Sequence, residues 1–265
     1  MKKWVKQIGA ASLVAMLSAC GTSPTGRNQL LLFPEDQMSA MGQQAFTSMK
    51  EELKISNKRV ANSYVECVAR SITANVPQEV FAGQWEVVVF DDEQVNAFAL
   101  PGGKIGVYTG LLKVAENQHQ LAAVIGHEVG HVIANHGNER MSIGTASQLT
   151  TQVVGQVLAA NEVPYSGPIM AAMGLGAQVG VQLPYSRSHE SEADLIGLTL
   201  MAQSGFNPQE SVSLWHNMDA ASEGNRPPEL LSTHPAPSSR IQNLQANMSE
   251  ANALYQQAPR RPDCK

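Results

Sequence analysis

The 265-residue chain has no apolar run long enough to cross a bilayer, which takes about 20 residues. Residues 8–19, "IGAASLVAMLSA", stop at twelve, and residues 169–183, "IMAAMGLGAQVGVQL", stop at fifteen with two glutamines among them. The second therefore reads as a packed amphipathic segment. An excess of positive charge is also missing: 18 Lys and Arg stand against 23 Asp and Glu, a net charge of −5. Without a basic patch nothing points to a nucleic-acid partner. No internal repeat is visible. The 14 prolines and 21 glycines are ordinary, and 43% hydrophobic residues suffice for a sizeable core. Cysteine is scarce, at three.

What is present begins with a basic start, "MKKWVK", before the twelve-residue apolar run, the layout of a secretory signal over residues 1–19. It closes on "LSAC". This resembles a bacterial lipoprotein signal, with Cys20 lipidated as the first mature residue and residues 20–33 as a polar tether. More than one acyl chain on Cys20 would hold the protein stably to a membrane surface. Gly21 is not the aspartate of inner-membrane retention, so the resemblance implies the outer membrane. Removal of residues 1–19 takes three lysines and no acid, leaving 15 basic against 23 acidic residues, net −8. In an oxidising compartment the remaining pair, Cys67 and Cys264, suggests a disulfide pinning the tail "RRPDCK" to an early helix.

Hydrophobic spacing predicts helices over 34–56, with Met38, Met41, Phe46, Met49 and Leu53 on one face, and over 58–75. A strand over 84–91 and two more around the turn "PGG" (101–103) predict a small sheet of about three strands. After it the chain reads as helical. One helix starts at Asn117, with Asn117 and Gln120 spaced as a capping box, and runs at least to His136. Another covers 188–204 and ends at Gly205. The next begins at "NPQE", with Asn207 as N-cap and Glu210 closing the box. A last amphipathic helix follows Pro235 and Pro237. Residues 34–265 thus read as one mostly helical α+β domain.

The stretch "LAAVIGHEVGHVIANHG" places His127 and His131 four apart inside an otherwise apolar helix. Both rings then lie on one face, one turn apart. This is the HExxH arrangement, in which two neutral imidazoles hold Zn²⁺ and the intervening glutamate, here Glu128, is the general base. Glu128 lies about 100° from His127 and about 60° from His131 on the helix, so it leans over the open position of the metal. His136 falls on the opposite face. His119 is about 12 Å along the axis and too far to share the metal.

A catalytic zinc needs a third protein ligand and an open fourth position. In "SRSHESEADLIG", Glu190 and Asp194 share a face, while Glu192 points towards solvent or a basic partner. One carboxylate can reach the metal and the other can support a ligand histidine through its second ring nitrogen. Spacing alone leaves open which does which, and a solvated acidic helix start that complements the helix dipole is the plain alternative.

Together, "NAFALPGGKIGVYTGLL", "VIGHEVGHV", "SRSHESEADLIG" and "STHPAPSSRI" resemble, in content and order, the HtpX and CAAX-prenyl-protease family of zinc peptidases, especially its soluble exported lipoprotein members. The resemblance spans roughly residues 80–245 of this sequence. It implies a zincin-type fold with a small sheet beside the HExxH helix and one Zn²⁺ per chain. Glu190 becomes the third ligand beside His127 and His131, and Asp194 the acid that supports a ligand histidine. His234 becomes an oxyanion donor or a fourth ligand that displaces water, with Arg240 steadying the same region. Asn96 and Ala97 border a cleft where an extended peptide adds to a strand edge. The implied role is a lipid-anchored endopeptidase on the periplasmic face, clearing misfolded or misassembled envelope proteins. A non-proteolytic chaperone or assembly factor with a latent zinc site is the alternative. Neither the membrane spans of HtpX nor a tetratricopeptide-like extension is read here, so the expectation is a bare catalytic domain on a lipid tether.

Overall fold

A computed structural model describes residues 20–161, 166–177, 183–222, 230, 234 and 238–264. The predicted signal at 1–19, the break at 162–165, and Pro235 and Pro237 lie outside the described residues. The described chain divides into two compact units, one drawn from Met1–Pro34 and Asn135–Ser188, the other from Glu35–Ala134 and His189–Lys265. The mostly helical α+β expectation is met.

In the second unit, α1 (Glu35–Glu52) and α2 (Arg59–Thr73) precede the strands β3 (Glu86–Phe90), β4 (Ala97–Leu100) and β5 (Lys104–Tyr108). The sheet order is β3-β5-β4, with β3 parallel and β4 antiparallel to β5. The turn between β4 and β5 depends on glycine, since Gly102 and Gly103 have φ of +82° and +70°. Tyr108 N donates to Asn96 O at 3.1 Å, which fixes the ladder phase. In an antiparallel pair such bonds fall on alternate residues, so the main-chain groups of Val95, Ala97 and Ala99 face the open side of β4.

α2 buries Val65, Val68, Ala69 and Ile72, and its one apolar stripe closes the main core. Phe46 of α1 meets Phe90 and Phe98 edge-on, with centroids 6.5 and 6.2 Å apart, in a smaller cluster. The predicted face of α1 is only partly right. Met41 is exposed and Gly42 is buried instead, because a Cβ at Gly42 would stand 2.1 Å from Pro101 O. Cys67 and Cys264 are disulfide-bonded across 197 residues of chain. Closing so long a loop restricts the unfolded chain and contributes about 3–5 kcal/mol in the entropic view.

α3 (Gln118–Ile133) starts where the sequence indicates. Asn117 Oδ1 accepts from His119 N at 2.9 Å and Gln120 N at 3.0 Å. The reciprocal bond is shifted by one residue, because Gln120 Oε1 accepts from Glu116 N at 2.8 Å. The helix does not run on to His136. Asn135 adopts a left-handed φ of 53°, and α4 (His136–Ala160) begins afresh. Asparagine tolerates that conformation better than most residues. α6 (Leu183–Gln203) closes at Gly205, with φ of +81°. Asn207 Oδ1 accepts from Gln209 N at 3.1 Å ahead of α7 (Glu210–Ser222), as a cap should. Glu210 does not close a box there. Its Oε2 accepts from Asn117 Nδ2 at 3.0 Å and Gln120 Nε2 at 2.9 Å, tying the start of α7 to the start of α3. α8 (Ser238–Gln257) is the last helix.

In the first unit, the segment expected as a polar tether is ordered. β1 (Cys20–Thr22) and β2 (Asn28–Leu30) pair antiparallel. Arg27 Nη1 and Nη2 reach both oxygens of Glu139 at 2.6 and 2.7 Å, and Gln29 Nε2 reaches Oε2 at 2.8 Å. Glu139, in the first turn of α4, is wholly buried, so these polar residues serve a buried acid rather than solvent. Asn138 Nδ2 adds a bond to Phe33 O at 2.7 Å, and Leu32 N one to Ser142 Oγ at 2.8 Å. α5 (Ser166–Ala177) packs on α4. Among the described residues no helix is long and apolar enough to cross a membrane.

Candidate metal centre

Close helix packing builds the site. A Cβ added to Gly126 or Gly130 of α3 would stand 2.9 Å from Gly197 O and Ala193 O of α6, and one on Gly197 would stand 2.7 Å from His127 N. Three glycines therefore let the helices approach backbone to backbone. That approach carries Glu190 and Asp194 to the histidines.

His127 Nε2 lies 3.1 Å from His131 Nε2 and 3.3 Å from Glu190 Oε2. His131 Nε2 is 3.6 Å from Glu190 Oε1. His234 joins them, its Nδ1 3.0 Å from each Glu190 oxygen and 3.4 Å from His127 Nε2. One donor atom from each of these four buried residues lies within 4.8 Å of every other. Ligands at zinc bond lengths of about 2.0–2.2 Å in a tetrahedron stand roughly 3.3–3.6 Å apart, close to the separations of this donor set.

The neighbouring groups fit as well. His127 Nδ1 donates to Asp194 Oδ1 at 3.0 Å, leaving Nε2 to face the cluster. Arg240, 1% exposed, grips Asp194 with Nε and Nη2, both at 2.6 Å. Its Nη1 donates to His234 O at 3.2 Å and lies 3.0 Å from Glu190 Oε2, and its guanidinium sits 4.2 Å from the Trp215 ring centre. Burial opposes charge on Asp194, but the bonds from Arg240 outweigh it and hold the carboxyl below its usual range. For Glu190, burial again opposes ionisation, and hydrogen bonds with His127 and His234 win decisively. Burial pushes His127 down, while its bonds to Asp194 and Glu190 lift it to about 9. Two ionised, buried carboxylates thus favour positive charge beside them at His127, a charge that a divalent cation would also supply.

Glu128 is buried, and its Oε1 has no hydrogen-bond partner among the described residues. His234 Nε2 stands 3.6 Å away. A buried carboxylate oxygen in that condition is costly unless something polar is brought to it, as a reacting water would be.

The other predicted residues separate. Asn96 immediately precedes β4 with its carbonyl turned to β5, and Ala97 is the first residue of β4, with its main chain on the open side; β4 packs along α3, and Asn96 Oδ1 accepts from Ala97 N at 2.9 Å. His119 stays apart, accepting from Asn207 N at 3.2 Å, and His136 is buried at the head of α4 in the other unit. Of the two surroundings expected for Glu192, solvent and a basic partner, the structure excludes solvent, since the residue is only 5% exposed. Trp215, which the sequence reading did not single out, carries no motif; only its scarcity as one of three tryptophans marks it.

Two buried histidines of an HExxH helix, a glutamate from a later helix and a second glutamate with one oxygen free of hydrogen bonds among the described residues form the donor set expected of a zinc metallopeptidase site. The chain belongs to peptidase family M48, which matches residues 55–248. It is 38% identical over 170 residues to the mitochondrial metalloendopeptidase OMA1 of Schizosaccharomyces pombe, covering 63% of this chain and 48% of that one. The bovine OMA1 metalloendopeptidase is 29% identical over 274 residues, covering 94% of this chain and 51% of that protein. The β-barrel assembly-enhancing protease of Escherichia coli K12 is 32% identical over 176 residues, covering 64% and 36%. The chain thus spans about half or less of the length of these relatives.

Proposed function

We propose that this zinc endopeptidase acts on misfolded or misassembled envelope proteins, held by a lipidated Cys20 at the periplasmic face of the outer membrane. The basic and apolar start with "LSAC", and the similarity to β-barrel assembly-enhancing proteases, support the location and the substrate class. The observation that carries the reading is the outer edge of β4, which pairs with no further strand among the described residues and packs along the HExxH helix. An unfolded chain can add there by main-chain bonds, with little demand on sequence.

His127, His131 and Glu190 would hold the ion. An ion held there would supply Lewis acidity towards water and a carbonyl oxygen. Glu128 Oε1 takes the proton of the attacking water and returns it to the leaving amine nitrogen. Asp194, clamped by Arg240, keeps the His127 ring turned so that Nε2 points inward.

An unfolded outer-membrane protein incubated with the purified protein should be cut, and its folded form spared. A chelator should abolish cutting and added zinc should restore it. Persistence of cutting in chelator refutes the metal dependence, and equal cutting of the folded form refutes the quality-control reading.

The second reading, a chaperone with a latent zinc site, draws on His234. Its Nδ1 stands where a fourth ligand would, and a fourth protein ligand leaves no place for water. His234→Ala should raise proteolysis several-fold if the ring blocks the ion. A large loss of kcat with unchanged zinc content would make His234 an oxyanion donor instead.

A further inference from the structure

A cavity opens beside His127 and His234, and its walls include Val124, Leu198, Leu214, Trp215 and Met218. Leu230 also lines it and is 4% exposed. With Leu230 in place the free space is about 30 Å³, room for a water or two but not for a side chain.

The main chain of Leu230 is equally informative. Its N–H donates to Val95 O at 3.1 Å, on the open side of β4 next to Asn96 and Ala97. Its carbonyl accepts from His234 N at 2.8 Å, and the His234 ring reaches Glu190 at 3.0 Å. Leu230 and His234 together therefore pair with the strand edge, close one wall of an apolar cavity and put a polar group into the metal cluster. A peptide substrate bound for hydrolysis must do the same three things.

We infer that the cavity is the subsite for a large aliphatic substrate side chain flanking the scissile bond, and that Leu230 is the chain's own stand-in for it. The inference rests on the peptidase reading and adds a preference that edge pairing alone would not give. Apolar walls reject a charged side chain, which would lose its hydration without a partner. A small side chain leaves a void where leucine makes contacts, and each missing methylene in such a pocket costs roughly tenfold or more in discrimination. Cut sites should therefore be rich in Leu, Ile or Met at one fixed position beside the bond. Unfolded envelope proteins expose such residues, and folded ones hide them.

The test maps cut sites in unfolded casein by mass spectrometry, for the wild-type chain, Leu214→Phe and Leu230→Ala. The wild type should favour large aliphatic residues over alanine at least tenfold at one position. Leu214→Phe narrows the pocket and should move the preference to alanine or valine. Leu230→Ala removes the competitor and should raise kcat/KM at leucine sites. In parallel, a leucine-containing peptide should bind the zinc-loaded Glu128→Gln chain at least tenfold tighter than its alanine counterpart and shift the Trp215 emission. Trp215→Phe should lose that shift. Cut sites without a side-chain preference, or a preference indifferent to Leu214→Phe, overturn the subsite. If the zinc-loaded wild type cuts nothing, the peptidase reading fails, and the Trp215 titration still decides the pocket: equal binding of the two peptides rejects it.

Discussion

Glu128→Gln is expected to keep about one zinc per chain and to lose proteolysis by about a hundred- to ten-thousandfold, the usual contribution of a positioned proton-transfer group. Glutamine matches glutamate in shape but cannot take a proton. Glu128 is outside the His127–His131–Glu190–His234 group, so the change removes no ligand. Its Oε1 makes no hydrogen bond to lose among the described residues, so folding should not suffer. The checks are metal analysis, a thermal melt and initial rates on unfolded substrate. Lost zinc would make Glu128 a ligand. Full activity would remove it from the chemistry and favour the chaperone reading.

Arg240→Ala is expected to cost about 3–5 kcal/mol, the range for breaking a buried ion pair by removing one partner. Arg240 is almost wholly buried, and its loss leaves Asp194, which is 6% exposed, without its two-pronged partner and with the His127 ring still beside it. The contact with Trp215 goes as well. Asp194 would also hold the His127 ring less firmly, and such supporting partners are typically worth 10–100-fold in metal affinity. Urea unfolding and zinc competition read the two effects separately. The sign with pH follows from Asp194. Its carboxyl is held below the ordinary value, so its stabilisation is complete above about pH 4 and fades as pH falls further. The deficit of the variant should therefore be largest near neutral pH and shrink in acid. Arg240→Lys keeps the charge but not the two-pronged grip, and should fall between. A deficit that does not change with pH would separate Arg240 from Asp194.

Much of this centre was legible beforehand because helical period is simple physics. The four-residue steps His127–His131 and Glu190–Asp194 predicted shared faces, and the donors do converge. The start of α3 at Asn117 and the turn at "PGG" follow from residue types with few other uses. Period cannot orient one helix against another, however. Which acid meets the ion depends on contacts at Gly126, Gly130 and Gly197, and three small residues give no amphipathic signal. The same limit hid the burial of Glu192. The end of α3 was not legible because a second helix begins at once at His136, and the break between them is a single left-handed asparagine, Asn135, a residue type that also occurs within helices. Leu230 carried no sign at all, since an isolated leucine is the least distinctive residue in a chain.

The hairpin at the start of the described residues has a consequence for reach. A free leash of 14 residues would let its cargo wander about 20 Å from the point of attachment. Here the slack is taken up within a few residues of Cys20, where Arg27 and Gln29 grasp Glu139. A lipid on Cys20, as proposed above, would therefore hold the head of α4 at short range.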